Sequence, residues 1–190
     1  MDTWSTRASP YSEYCVAEES ATYGIQLPTV YLDTSVVSYL TARLNPNLSV
    51  ARRQRLTRVW WDRYRDNHAL FISERVLSEA AAGDVAAAAA RIEALAGIVE
   101  LVLDTRARSL AKELIGGRLL PTRARADAEH IALAAANSVR VLLTWNCKHL
   151  ANAVIHRGVV RTCEAYGFRC PEICTPEQLM RTYAHERSTS

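Results

Sequence analysis

A chain of 190 residues is long enough for one domain with a substantial core and little more. Hydrophobic residues make up 49% and charged residues 23%, which excludes disorder throughout; apolar runs such as 85–90 and 131–136 fall far short of a membrane span, so no membrane association is expected. The net charge of +3 is unevenly placed: Asp2, Glu13, Glu18 and Glu19 against Arg7 give residues 1–27 a balance of −3, leaving +6 for residues 28–190, a moderate basic excess that suits an anionic partner without demanding one.

Residues 1–27 mix Ser, Thr and Pro with scattered aromatics and show neither helical nor strand periodicity. They read as a poorly ordered extension or the product of an upstream start codon, with the folded domain spanning 28–190. No apolar run follows a positive start, so a cytoplasmic chain is expected. Thr29–Leu32 is a short run of β-formers ending at Asp33. Helical spacing follows over Ser35–Arg43 and stops at Asn45-Pro46. Residues 50–66 form a second helix with Leu56, Val59, Trp60 and Tyr64 on one stripe. His68–Ile72 is a second strand, followed by a helix that carries Glu79 and breaks at Gly83-Asp84. Asp84 caps the next helix, which runs to Ala96 and stops at Gly97. Ile98–Leu103 is a third strand, 105–115 a helix, and a loop with Pro121 leads into a helix from about Arg123 to Asn137. Arg140–Thr144 is a fourth strand ending at Trp145-Asn146. The tail is expected to hold a helix near 151–157, a short strand near Val159–Thr162 and a last turn after Pro176. Short strands separated by helices require crossover connections, so the fold class is three-layer α/β/α with a mostly parallel central sheet.

Five cysteines are an odd count, and nothing marks the chain as secreted; reduced thiols are the expectation. Cys170 and Cys174 form a C-x-x-x-C pair without a matching second pair, which argues against a zinc site.

Ligands of open parallel sheets gather outside the carboxyl ends of the strands. Asp33 follows the first strand and Asn146 the fourth; Asp127 lies near the start of the helix feeding the fourth, and Glu79 in the helix after the second. Four oxygen-bearing side chains are thus placed to converge. Carboxylates crowded together repel unless a hard cation neutralises them, and an all-oxygen set points to Mg²⁺ or Mn²⁺ and phosphoryl chemistry rather than zinc hydrolysis. Each residue also has a plainer reading: Asp33 as a helix cap, Glu79 as a solvated carboxylate, Asp127 as a first-turn acid and Asn146 as a turn residue.

Four segments resemble PIN domains. VYLDTSVVSYL over Val30–Leu40 resembles the family's opening, where an Asp ends the first strand and Thr or Ser comes next. FISERVLSE over Phe71–Glu79 resembles its second-strand segment with its acid at Glu79. ADAEHIALAA over Ala126–Ala135 resembles the D-x-x-H-[IL]-A-x-A segment with its third acid at Asp127, and VLLTWNCKHL over Val141–Leu150 resembles the strand and turn beyond it. The match is most similar to the VapC-like toxin branch. The resemblance implies a metal-dependent endoribonuclease acting on RNA, the toxin component of a type II toxin–antitoxin system. It also implies Mg²⁺ (or Mn²⁺) held by Asp33, Glu79 and Asp127, an antitoxin protein covering the site, and often a homodimer. Many PIN domains carry Asp where this chain has Asn146. An amide keeps a carbonyl oxygen but removes a negative charge, so a weaker or absent second metal site is expected. The same substitution supports the alternative of a catalytically weakened RNA- or protein-binding module. A phosphatase using Asp33 as covalent nucleophile is disfavoured because Ser35 stands two residues on instead of a second Asp.

Several neighbours bear on substrate binding. Thr144 sits beside Asn146, where it could hydrogen-bond a metal-binding residue or the substrate, and its plainer reading is an ordinary strand residue. Lys148 and His149 lie at the expected rim, and Arg123 and Arg125 sit just before Asp127, where phosphate contacts are expected. The arginines of 52–65 with Trp60, Trp61 and Tyr64 fit an amphipathic helix with a solvated basic face better than an RNA-stacking surface. His130, three residues after Asp127, shares its face and reads as a structural hydrogen-bonding histidine.

Overall fold

Strand β1 (Thr29–Leu32) is the centre of a five-stranded sheet in the order β3-β2-β1-β4-β5, every pair parallel. The computed structural model describes residues 27–117, 119–121, 124–146 and 153–186; β2 is Ala69–Ser73, β3 Val99–Leu101, β4 Val141–Leu143 and β5 Glu172–Cys174. The helices are α1 (Thr34–Thr41), α2 (Leu48–Tyr64), α3 (Glu74–Ala80), α4 (Val85–Leu95), α5 (Thr105–Gly116), α6 (Arg125–Ala136), α7 (Ala153–Ala165) and α8 (Pro176–Glu186). Among the described residues no helix is long and apolar enough to cross a membrane.

The strand order dictates where the helices go. Steps from β1 to β2 to β3 move one way across the sheet; steps from β3 to β4 to β5 move the other. Parallel crossovers are right-handed, so the two sets of connections cover opposite faces. α1 accordingly packs on α2, α3 and α4, whereas α5 packs on α6 and α7. This is the three-layer α/β arrangement expected, with the sheet wholly parallel. β1 and β4, flanked on both sides and covered above and below, are almost completely buried: Val30, Tyr31, Leu32, Leu142 and Leu143 are at most 1% exposed. α6 is buried on nearly every side, from Ala128 to Ala135, and its alanines let it lie close to the sheet.

Caps set most helix starts. Asp33, Asn47, Ser73, Asp84 and Asp104 each accept a backbone N–H of the following turn, relieving donors that the helix itself leaves unpaired. Gly97 closes α4 at φ +78, a conformation a side chain would strain.

Three features depart from the sequence reading. The strand expected at Val159–Thr162 lies inside α7. Its paired valines suggest β structure, but Val159 and Cys163, one helical turn apart, are both fully buried, and the stripe wins. Gly158 brings α7 so close to Leu119 that an added Cβ would stand 2.4 Å from Leu119 Cδ2. The fifth strand is instead the three-residue β5 after Pro171, too short for a period to register. The turn after Pro176 is a full helix, α8. Thr175 accepts the Gln178 N–H (3.2 Å) while the Gln178 side chain accepts the Thr175 N–H (2.9 Å), a capping box with Pro176 at the first helical position. On α2 the buried stripe is Ala51, Gln54, Thr57 and Trp60, and Val59 is exposed. Gln54 is buried because its amide serves the chain after α1, donating to Arg43 O (2.7 Å) and accepting from Asn45 N (2.9 Å). Cys163, Cys170 and Cys174 form no disulfide among the described residues.

Leu142→Ala is expected to lower unfolding free energy by about 2–5 kcal/mol, because β4, paired on both sides, cannot collapse around the lost volume; urea denaturation measures it. Burial holds the His68 imidazole below its ordinary value of 6.5, against the hydrogen bond to Tyr64 O. The unfolded chain therefore takes up the proton first. Stability is fully present above pH 6.5 and falls as pH drops below it. His68→Gln should flatten thermal stability between pH 6.5 and 5; an unchanged acid slope would assign it to other groups.

Candidate metal centre

β1 and β4 are adjacent, yet the chain leaving β1 turns towards one edge of the sheet and the chain leaving β4 towards the other. A crevice opens outside their carboxyl ends, the usual ligand position in such sheets. Asp33 and Thr144 are the first residues past these two strands. Sheet hydrogen bonding holds both in place, with Asp33 N donating to Leu143 O (3.1 Å) and Thr144 N to Cys174 O (2.9 Å).

Asp33 is 9% exposed and its carboxylate is oriented by two hydroxyls. Ser35 Oγ (2.8 Å) and Thr144 Oγ1 both donate to Asp33 Oδ2. Each hydroxyl also accepts from the β4 turn, Ser35 from Trp145 N and Thr144 from Asn146 N, both at 2.9 Å. Oδ1 takes the longer cap bond from Ser35 N (3.3 Å) and is the oxygen that lies towards His130 Nε2. Asp33 is thus both a helix cap and a crevice carboxylate.

Glu79 enters from α3. Thr34 Oγ1 donates to its Oε2 at 2.6 Å, so the residue after Asp33 positions the second acid. His130, from α6, points its Nε2 between the two, 4.0 Å from Asp33 Oδ1 and 3.9 Å from Glu79 Oε2. His130 holds Glu79 below the usual carboxylate range, aided by Thr34 and Arg75 and opposed by burial. Beneath them Tyr31 is fully buried; its hydroxyl lies 2.8 Å from His130 Nδ1 and 2.6 Å from Ser73 Oγ. Burial, above all, pushes this phenol well above its ordinary value, with the Ser73 bond acting against it, so it is a neutral hydrogen-bonding group.

Asp33, Glu79 and His130 each offer one ligand atom, all within 4.8 Å of one another, and form the one such set among the described residues. Two carboxylate oxygens and an imidazole nitrogen fit a divalent cation by donor type and spacing. Asp127 lines the same hollow with Asp33, His130 and Thr144 but is not one of the three. Its Oδ1 accepts the Asn146 side-chain amide at 2.8 Å. All four expected oxygen-bearing residues therefore lie at one end of the sheet, with Asn146 directed at Asp127. Arg125 is exposed and donates to Glu129 Oε1 at 3.1 Å; it borders a groove with Arg108 and Lys112 that shares no lining residue with the hollow. Arg123, Lys148 and His149 lie outside the described residues. The α2 arginines pack structurally: Arg58 donates to Leu40 O and Ala42 O, Arg52 pairs with Glu177, and Arg53 lies over the Trp145 ring. Trp145 is held in turn by its indole N–H donating to Thr57 Oγ1 at 2.7 Å.

Sequence reasoning misses two participants in the site, His130's approach to both acids and the Tyr31–Ser73 support under it. The first has a signal, the three-residue spacing from Asp127 on one helix face. The second has none, since Tyr31 and Ser73 look like ordinary strand residues.

No protein-family model matches the chain, and no curated protein sequence does. Among solved structures it is similar to VapBC2 from Rickettsia felis, bound to a DNA fragment from its promoter, with 13% identity, a TM-score of 0.47, and coverage of 77% of this chain and 98% of that one. It is also similar to VapC20 of Mycobacterium tuberculosis, a Sarcin-Ricin loop cleaving toxin, with 14% identity, a TM-score of 0.44, and coverage of 66% of this chain and 95% of that one.

Proposed function

We propose that this chain is a metal-dependent endoribonuclease of the PIN type and the toxin of a type II toxin–antitoxin pair. The observation that carries this is the meeting of Asp33, Glu79 and His130 within 4.8 Å at the switch point of a parallel sheet, with Asp127 beside them. Asp33, Glu79 and Asp127 would hold Mg²⁺ or Mn²⁺. When bound, such a cation polarises a phosphodiester and makes water a competent nucleophile near neutral pH. The chain's own part is placement. Ser35 and Thr144 fix the plane of the Asp33 carboxylate, and Thr34 fixes Glu79. Arg125, Thr144, Lys148, His149 and Arg123 are assigned to substrate binding, the cationic ones by attraction to the RNA backbone. A cognate antitoxin covering the site, a homodimer and a cytoplasmic location belong to this proposal.

A second reading, an RNA- or protein-binding module with weakened catalysis, is favoured by one contact. The Asn146 amide engages an Asp127 oxygen where a carboxylate would add charge for a cation.

Purified protein is expected to cut a mixed RNA pool with Mg²⁺ or Mn²⁺ and to stop with chelator. Asp33→Asn should reduce cleavage by at least about 100-fold, the scale for losing a group that stabilises transition-state charge. No cutting of varied RNAs by folded wild-type protein would favour the binding module.

Asn146→Asp places a carboxylate against Asp127. Without divalent ions its melting temperature should fall by about 2–4 °C from like-charge repulsion. Added Mg²⁺ should raise it more than it raises wild type, since the cation binds the folded state alone. Equal Mg²⁺ shifts in both proteins would place residue 146 away from the cation.

A further inference from the structure

His130 is the least expected member of the cluster, and its setting says more than proximity. Its side chain is 4% exposed. The ring is fixed at both ends, Nδ1 against the Tyr31 hydroxyl and Nε2 aimed between Asp33 Oδ1 and Glu79 Oε2 at nearly equal distances of 4.0 and 3.9 Å. Those distances are too long for hydrogen bonds. An ion pair alone would draw the ring onto one carboxylate; a ring poised midway leaves a gap bounded by three donor atoms.

The partners of Nδ1 determine what Nε2 can offer. A histidine that binds a cation presents a bare nitrogen, and its other nitrogen then carries the proton and needs an acceptor. Tyr31 is suited to that role. In that tautomer its hydroxyl accepts from Nδ1–H and donates its own hydrogen to Ser73 Oγ, 2.6 Å away. Ser73 is itself fixed as the cap of α3, accepting Val76 N, and α3 carries Glu79. One buried chain of hydrogen bonds thus ties the imidazole to the helix that delivers the second carboxylate.

Resting on the metal-dependent reading above, we infer that His130 is itself a ligand of the cation, through Nε2, and that Tyr31 and Ser73 hold it in the ligating tautomer. The centre is then a mixed site of Asp33, Glu79 and His130 rather than an all-carboxylate one. His130 takes the place that the carboxylate reading above gives to Asp127, which is engaged by Asn146 and stands beside the cation. A nitrogen donor shifts preference away from Mg²⁺, which favours oxygen, and along the transition-metal series from Mn²⁺ to Co²⁺. The full chain should therefore bind Mn²⁺ at least about 10-fold more tightly than Mg²⁺, and Co²⁺ more tightly again.

The test is binding of Mn²⁺ alone to the full chain by calorimetry, in wild type, His130→Asn, Tyr31→Phe and Asp33→Asn. Electron spin echo envelope modulation of the Mn²⁺-loaded wild type accompanies it. Asn at 130 removes Nε2 and retains a polar side chain towards Tyr31, and circular dichroism checks its fold. His130→Asn should lose about 10–100-fold in Mn²⁺ affinity, with little change for Mg²⁺, and Tyr31→Phe should lose about 10-fold, the scale for groups that orient a ligand. The wild-type echo should carry an imidazole ¹⁴N modulation, a readout that requires no variant to fold. Mn²⁺ binding that Asp33→Asn abolishes, with no nitrogen modulation and unchanged affinity in His130→Asn, would overturn the inference and leave the carboxylate site standing. Absence of Mn²⁺ binding by wild type would overturn both.

Discussion

The handedness of parallel crossovers is the constraint on which the rest of this molecule depends. A right-twisted sheet accepts its connecting helices only one way round, so the order β3-β2-β1-β4-β5 obliges the chain to change faces between β3 and β4. That change leaves β1 and β4 side by side with their outgoing chains diverging. The crevice between them needs no special residues to form; it is a by-product of burying a wholly parallel sheet on both sides. The chemistry is added by the residues at the carboxyl end of each strand: Asp33, Thr34 and Ser35 after β1, Thr144, Trp145 and Asn146 after β4. Helices supply the remainder, Glu79 from one face and Asp127 and His130 from the other.

Placing a carboxylate at such a position is costly unless its oxygens are satisfied. Ser35 and Thr144 answer this with little material. Each hydroxyl has one proton and donates it to Asp33 Oδ2, while its lone pairs receive the backbone of the neighbouring turn. The arrangement therefore closes the β4 turn onto the start of α1 and orients Asp33 at the same time. Trp145 reinforces it from behind, its indole held by Thr57 and its ring edge-on to Tyr39 at 5.8 Å. Three arginines of α2, read in the sequence as the basic face of an amphipathic helix, take structural partners: Arg58 on backbone carbonyls, Arg52 on Glu177 and Arg53 over the Trp145 ring.

Much of this is legible in the sequence. Four of the five strands, most helices and the convergence of Asp33, Glu79, Asp127 and Asn146 come from periodicity, caps and the rule for parallel sheets. Sequence reasoning fails where a local signal competes with a tertiary one. Val159-Val160 has strand propensity, but the buried stripe running to Cys163 places it in α7; β5 is three residues long, and no period is readable over so short a run. Gln54 and Thr57 are invisible as interior residues because their burial is justified by partners far away in sequence, Arg43 O and the Trp145 indole. The site shows the same division. Acids at strand ends announce themselves by type and place, whereas Tyr31 in the middle of β1 is an ordinary strand residue until α6 brings His130 against it.

The contact between Tyr31 and His130 also explains why the interior of this sheet tolerates a phenol in its central strand. A buried hydroxyl without a partner would destabilise the core by about 1–3 kcal/mol, and a phenylalanine there would pack as well. Tyr31 is satisfied on both sides, by Ser73 and by His130, so its polarity is neutralised only because β2, α3 and α6 are all in register with it. The dependence runs both ways: the imidazole is held midway between two carboxylates because the core beneath it is rigid. A site assembled on loops would let the ring relax onto one acid. Mounted on a strand buried on both faces, it keeps a gap that three donors share, and the precision of the site is inherited from the packing of the sheet.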